Sequence, residues 1–278
     1  YVHENGDANN SGKSWNDAKS SPVDFTGITL SPGDTIFVSP GKYQMASDSP
    51  PCRGNGTQGN PIVFWAVGDP GKTILHSSEE FTNTWSHYSG NIFTASCTES
   101  ASSGLFYQDH YPLRFAGIYP ANIDEAGEYA NDGSDVWVRL WGDGSPENHN
   151  IHLSNAYVTT VYRGADPYAH KYIQWHGFTF LGFRHNVLSG YVVADDSVRR
   201  GIKYYRCIFL ATGGQEFVSW ESHNWRNCGF FNCIFYRPVD YESQSIDGIK
   251  ISNNCDSTNT DSVYNCVFVG LEDVYVNL

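Results

Sequence analysis

Four short stretches repeat one pattern of apolar and polar positions: Trp175-His176-Gly177-Phe178-Thr179-Phe180, Tyr204-Tyr205-Arg206-Cys207-Ile208-Phe209, Phe230-Phe231-Asn232-Cys233-Ile234-Phe235 and Val263-Tyr264-Asn265-Cys266-Val267-Phe268. The fourth column reads Phe, Cys, Cys, Cys, and the sixth is Phe throughout. Residues two apart on a strand face the same side, so Cys207, Cys233 and Cys266 are expected to stack in one buried file and the phenylalanines in another. The third column falls at a bend. Gly177, Asn232 and Asn265 tolerate the left-handed backbone that a tight bend requires, whereas Arg206 breaks the column. Successive fourth positions lie 29, 26 and 33 residues apart, an uneven period that signals stacked coils. A further strand per coil is expected at 186–190, 215–220, 248–252 and 273–277. Three strands, one tight bend and two variable loops describe an all-β chain wound as a right-handed parallel β-helix.

The Asn-Cys-x-Phe phrase resembles the coil phrase of the pectate-lyase-like superfamily of secreted β-helix proteins. Tyr1-Val2-His3-Glu4-Asn5-Gly6-Asp7, Gly12-Lys13-Ser14-Trp15, Pro32-Gly33-Asp34-Thr35-Ile36-Phe37-Val38 and Pro40-Gly41-Lys42-Tyr43 are similar to the opening of such chains. Gly59-Asn60-Pro61-Ile62-Val63-Phe64-Trp65-Ala66 resembles the coil that follows. The resemblance is specific for fold and weak for activity, because the superfamily hosts lyases, hydrolases, adhesins and structural proteins. It implies a protein that engages extracellular polysaccharide, as a polysaccharide lyase or a glycoside hydrolase if it is an enzyme.

Residues 82–165 interrupt the rhythm. Ile92-Phe93, Leu105-Phe106-Tyr107, Pro112-Leu113-Arg114-Phe115 and Asp135-Val136-Trp137-Val138-Arg139-Leu140-Trp141 alternate like antiparallel strands, separated by turn clusters such as Asn131-Asp132-Gly133-Ser134. This looks like the small antiparallel β-module that several β-helix glycoside-processing families insert after their first coils. The expected organisation is an N-terminal cap with the first coils over 1–81, the module over 82–165 and further coils over 166–278, in one continuous structural domain. Ser14-Trp15-Asn16-Asp17 suggests a capping box opening a short helix over the solenoid's end.

A net charge of −13 argues against nucleic acid or an anionic membrane as partner, and no apolar run reaches membrane-spanning length. Tyr1 is expected to lie close to a processed N-terminus, which places the protein outside the cell. Of seven cysteines, Cys52, Cys97, Cys228 and Cys255 lie outside the predicted thiol file. Cys52–Cys97 and Cys228–Cys255 are the candidate disulfides, with other pairings open. No Cys/His spacing resembles a zinc site.

Chemistry is sought along the third strand of each coil. Alternation there points Glu216, Val218 and Trp220 outward, then Lys250 and Ser252, then Asp273, Tyr275 and Asn277. A lyase needs a base beside a uronate carboxyl and a cation for the enolate. Lys250 is the candidate base and Arg237 an auxiliary cation, with Asp240 and Glu242 available to hold Ca²⁺. A hydrolase needs two carboxyls about 5–9.5 Å apart. Asp195 or Asp196 with Asp240 or Asp247 are the candidates. Glu216, Trp220, Tyr275 and Arg237 are the candidate substrate contacts. Asp7, Asn9 and Ser11 mimic half of a calcium loop, but Ala18 stands where the bidentate carboxylate belongs.

The strand 273–277 stops at Leu278 without a cap, and an open solenoid end exposes unpaired backbone. The alternative expectation is therefore a non-catalytic structural protein that assembles head-to-tail into a filament. A lectin-like module using Trp220 and Tyr275 is a third.

Overall fold

The computed structural model describes residues 1–22, 28–45, 54–76, 78–98, 106–109, 111–154, 171–181, 188–189, 199–210, 216–220, 225–236, 247–251 and 261–270. Two parallel sheets, each six strands deep, form the solenoid. The first stacks Thr35–Val38, Ile62–Ala66, Ile173–His176, Lys203–Tyr205, Gly229–Phe231 and Ser262–Tyr264. The second stacks Gly41–Gln44, Thr73–His76, Phe178–Leu181, Ile208–Leu210, Ile234–Tyr236 and Val267–Val269. These pairs define coils one to six. A third parallel sheet joins Leu188–Ser189, Glu216–Trp220 and Asp247–Ile251. The expected strand at 273–277 lies outside the described residues.

Inward columns interlock across the coils. On the first sheet Ile36, Phe64, Trp175, Tyr204 and Phe230 are in register and buried. On the second, Phe180, Phe209, Phe235 and Phe268 stack with centroids 5.0, 4.7 and 4.9 Å apart and planes within 9° of parallel. The thiol file also forms. Cys207 Sγ donates to the Trp175 carbonyl of the preceding coil at 3.6 Å, Cys233 Sγ to Tyr204 at 3.5 Å and Cys266 Sγ to Phe230 at 3.5 Å. Hydrogen bonding to Cys207 and burial push the Cys233 thiol far above its ordinary range, and the bond to Cys233 does the same for Cys266.

The bend column is left-handed in coils three to six: Gly177 (φ 77°), Arg206 (52°), Asn232 (56°) and Asn265 (49°). Arg206 therefore keeps the bend instead of breaking it, because its amide donates to the Phe231 carbonyl at 2.9 Å and holds the coil in register. A second left-handed column, Tyr172 (54°), Gly201 (67°) and Asn227 (53°), precedes the first sheet with the same spacings of 29 and 26 residues. A Cβ at Gly201 would lie 2.4 Å from the Tyr172 ring, so that coil admits no side chain there.

The N-terminal cap lays fully buried Val2 beside Val38 and Lys19. The expected capped helix reduces to a 3-10 turn, Trp15–Asp17, without a side-chain bond from Ser14. The Asp17 carboxylate instead accepts from Ser11.

The module leaves the solenoid after coil two and returns before coil three. Its five-stranded sheet orders Arg114–Gly117, Glu128–Asn131, Asp135–Arg139, Ile92–Ser96 and Ser86–Ser89. The pairing is antiparallel except between the first two strands, which are parallel. Glu128 is buried, pairs with Arg114 and accepts the amides of Asp124 and Glu125, which fixes the connection between those strands. A four-stranded antiparallel sheet orders Ser78–Glu80, Ile151–Ser154, Phe106–Gln108 and Tyr111–Pro112. Phe106, Tyr129, Val136, Val138 and Leu140 fill the core between the two sheets. Tyr107 faces the other way and packs in a small cluster with Leu181, Ile74 and Leu210 on the solenoid's second sheet.

Each proposed disulfide has one member, Cys52 or Cys255, outside the described residues. Cys97 is buried in the module core and Cys228 in the solenoid core.

Arg206→Gly relieves a left-handed arginine and is expected to raise unfolding stability by about 0.5–1 kcal/mol, read from a denaturant midpoint shift at unchanged m. The thiol file makes Cys207 and Cys233 resist iodoacetamide at pH 8 in the folded protein. Peptide mapping should find them labelled only after denaturation, and native labelling of Cys233 would contradict the buried, hydrogen-bonded file.

Candidate functional site

The third sheet carries four of the expected residues. Its register pairs Glu216 with Asp247, Val218 with Ile249, Ser219 with Lys250 and Trp220 with Ile251. Leu188 and Ser189 precede Val218 and Ser219 in those columns. Lys250 thus shares a polar column with Ser189 and Ser219. Trp220 lies at the alternate parity, so the expected common outward face for Trp220 and Lys250 does not hold. Glu216 and Asp247 do fall side by side on neighbouring coils. Asp195, Asp196, Arg237, Asp240, Glu242 and Tyr275 lie outside the described residues.

At the N-terminus, Asp7 Oδ1 accepts from the Asn9 amide at 2.8 Å and from Asn9 Nδ2 at 3.0 Å, while the Ser11 hydroxyl turns to Asp17. Asp7 and Asn9 thus bond to each other, while Ser11 bonds to Asp17. Among the described residues no group of three His, Cys, Asp or Glu side chains is placed to hold a metal ion.

Side chains with chemistry converge where the module leaves coil two. The strand Thr73–His76 ends the coil, and Ser78–Glu80 begins the module's four-stranded sheet. There Glu80 pairs across the sheet with His152, and Glu79 with Leu153. A cavity of about 200 Å³ opens beside them, lined by Glu79, Glu80, Phe81, Asn83, Thr98 and Leu153, with Cys97 and Thr82 completing it. Phe81 is fixed by its edge-to-face contact with Phe106 at 5.4 Å and by Trp85 at 5.2 Å. Asn83 is tethered through its amide to the Ser96 carbonyl at 2.7 Å. The cavity thus combines two carboxylates, an amide and hydroxyls with one apolar wall, a set suited to a ligand rich in hydroxyl groups.

Two histidines stand behind it. His76 is buried, its Nδ1 within 3.1 Å of the Ser78 carbonyl, and its ring meets His152 edge-on at 6.4 Å. Burial lowers the His76 pKa to about 4, with His152 and Lys42 adding to the fall. Burial also lowers His152, while Glu80 and Asp109 pull it back up. The sequence pattern did not single out Glu79, Glu80, His76 or His152. The available signal was Ser78-Glu79-Glu80-Phe81, a pair of acids placed where the coil rhythm stops.

A second surface feature runs the length of the first sheet. Phe37, Trp65, His176, Tyr205, Phe231 and Tyr264 form one outward column in register. Trp65 stacks on His176 at 4.8 Å, His176 on Tyr205 at 4.6 Å and Tyr205 on Phe231 at 4.9 Å, all within 16° of parallel. His176 also bonds to Gln174 at 3.2 Å, and Lys203 Nζ lies 5.7 Å from the Phe231 centroid. Each inner ring spends its faces on its neighbours, so the column stabilises coil stacking and offers sugars only edges. Its signal was the second column of the repeat, which reads His, Tyr, Phe, Tyr.

His76 and His176 both lie near pKa 4 against an ordinary 6.5, burial being the main cause. The unfolded chain binds these protons first on acidification. Their contribution to stability is full above pH 6.5 and is lost progressively as pH falls through 4. Denaturant midpoints measured between pH 7 and 4 should fall, and His76→Gln should flatten the decline. A decline unaltered in both His76→Gln and His176→Gln would assign it to other groups.

No protein-family model matches the sequence, and no curated protein matches it. Similarity appears in three dimensions. A glycoside hydrolase structure aligns over 97% of this chain and 73% of that one, at 11% identity and a TM-score of 0.59. The structure of XylC in complex with xylose aligns over 96% of this chain, at 11% identity and a TM-score of 0.52. This chain spans 63% of the XylC chain, under two thirds of its length. Likeness at this identity is one of fold, and the fold is a parallel β-helix.

Proposed function

We propose that this protein acts on an extracellular polysaccharide, hydrolysing glycosidic bonds at the junction of module and solenoid. The cavity beside Ser78–Glu80 carries the reading: two carboxylates line a space of about 200 Å³, the scale of one sugar unit. Successive strand residues face opposite sides, so one of Glu79 and Glu80 supplies a carboxyl for the hydrolysis, and Phe81 provides the apolar wall for a sugar face. The structural likeness to a glycoside hydrolase and to a xylose-bound protein supports the substrate class.

A lyase acting through Lys250 is the second reading, favoured by its polar column with Ser189 and Ser219. New reducing ends distinguish the first, and new absorbance from unsaturated uronate distinguishes the second. Incubation with neutral polysaccharides should release reducing ends. Either Glu79→Gln or Glu80→Gln should lower that rate by about 10²–10⁴-fold at unchanged melting temperature. Full activity in both variants would remove the junction as the site.

A further inference from the structure

Trp141 is held face-down on the module. A Cβ on Gly127 (φ 86°) would lie 2.3 Å from Cε2 and Cζ2 of its ring and 2.5 Å from Cδ2. Three ring atoms at nearly equal distance, two of them at the ring fusion, put the glycine beneath the face of the indole and not at its edge. Trp141 is nonetheless 46% exposed, so the opposite face meets solvent. Its Nε1 donates to the Pro112 carbonyl at 3.3 Å, which stops the ring from turning. The backbone is held as well. The buried Gln108 side chain accepts from the Trp141 amide at 2.7 Å and donates to the Trp141 carbonyl at 3.2 Å.

Polar groups flank this indole. Tyr111 stands opposite Gln108 in the hairpin register, so its side chain leaves the sheet on the same face, and it is 69% exposed. His149 Nδ1 lies 2.7 Å from the Asp109 carboxylate and 3.2 Å from Gln108 Nε2. The nearer carboxylate takes the Nδ1 proton, which makes Nε2 an acceptor. Gly144 keeps that side clear, since a Cβ there would lie 3.0 Å from Nε2.

We propose that Trp141 is the platform of a subsite that binds one neutral pyranose unit of a polysaccharide. A pyranose offers a face of C–H groups with partial positive charge, which suits the negative face of an indole. Its rim of hydroxyls needs donors and acceptors beside that ring, and the Tyr111 hydroxyl and His149 Nε2 provide both. An indole fixed at its ring and its backbone loses little freedom when a sugar settles on it. Charge narrows the ligand further. Asp109 at the subsite and a net charge of −13 oppose uronate units and leave neutral ones favoured. The subsite lies along Tyr111–Pro112, at the opposite edge of the four-stranded sheet from Ser78–Glu80. It is therefore a second point of attachment, and it stands without the hydrolysis proposed above.

Isothermal titration of the full chain with cellohexaose, xylohexaose and mannohexaose tests the proposal, with a galacturonate hexamer as the charged control. At least one neutral hexamer should bind, and more tightly than the galacturonate. Trp141→Ala and Tyr111→Ala should each weaken that binding by about tenfold while far-UV circular dichroism holds. Should Trp141→Ala fail to fold, Tyr111→Ala carries the test, because it removes none of the bonds that fix Trp141. No binding of any neutral hexamer, equal binding by the unmodified protein and the folded variants, or preference for galacturonate overturns the proposal. Reducing-end release is read separately, so either outcome here leaves the junction reading to its own variants.

Discussion

The hydrogen-bonded ladder between coils governs this molecule. Parallel strands lie about 4.8 Å apart, and a side chain must accept its counterpart at that distance on both sides. Flat rings satisfy the condition, which is why inward and outward columns alike fill with aromatics at 4.3–5.2 Å. Thiols satisfy it by donating to the carbonyls of the preceding coil. Asparagine satisfies it at the bend, where Asn265 donates to the Asn232 side chain at 2.7 Å. A charged residue at such a position would face its own kind, and the inner columns hold none.

This constraint explains what could be read from the sequence. The Cys and Phe columns and the bend column were legible because stacking repeats residue types at fixed intervals. The second bend escaped notice because Tyr172, Gly201 and Asn227 share a backbone state without sharing chemistry. Arg206 seemed to break its column for the same reason: side-chain identity is a weak guide where interstrand hydrogen bonds hold the conformation. Trp220 and Lys250 were expected on one face, and only the pairing with Asp247–Ile251 shows them at opposite parity, because parity on a short strand shifts with a single residue.

The candidate site was less legible, and the cause is topological. Repetition aligns like with like along one axis, whereas acid–base chemistry needs unlike groups to converge. Convergence occurs where the repeat is interrupted. Glu79 and Glu80 gain His152 and Leu153 as neighbours from residues some seventy positions later in the chain, a pairing with no local trace. Phe81 packs on Phe106 of the module's core, and Asn83 is tied to the Ser96 carbonyl of its sheet.

The unequal coil lengths carry a consequence for how such a chain can change. Both left-handed bends keep their places while the intervening segments lengthen or shorten by several residues. The scaffold therefore separates the parts that must be conserved in geometry from those free to vary in length. Insertions between the strands can accumulate without disturbing the stacked interior, and the module after coil two is the largest of them. A lineage built on this plan can remodel its rim piece by piece while the solenoid beneath stays the same.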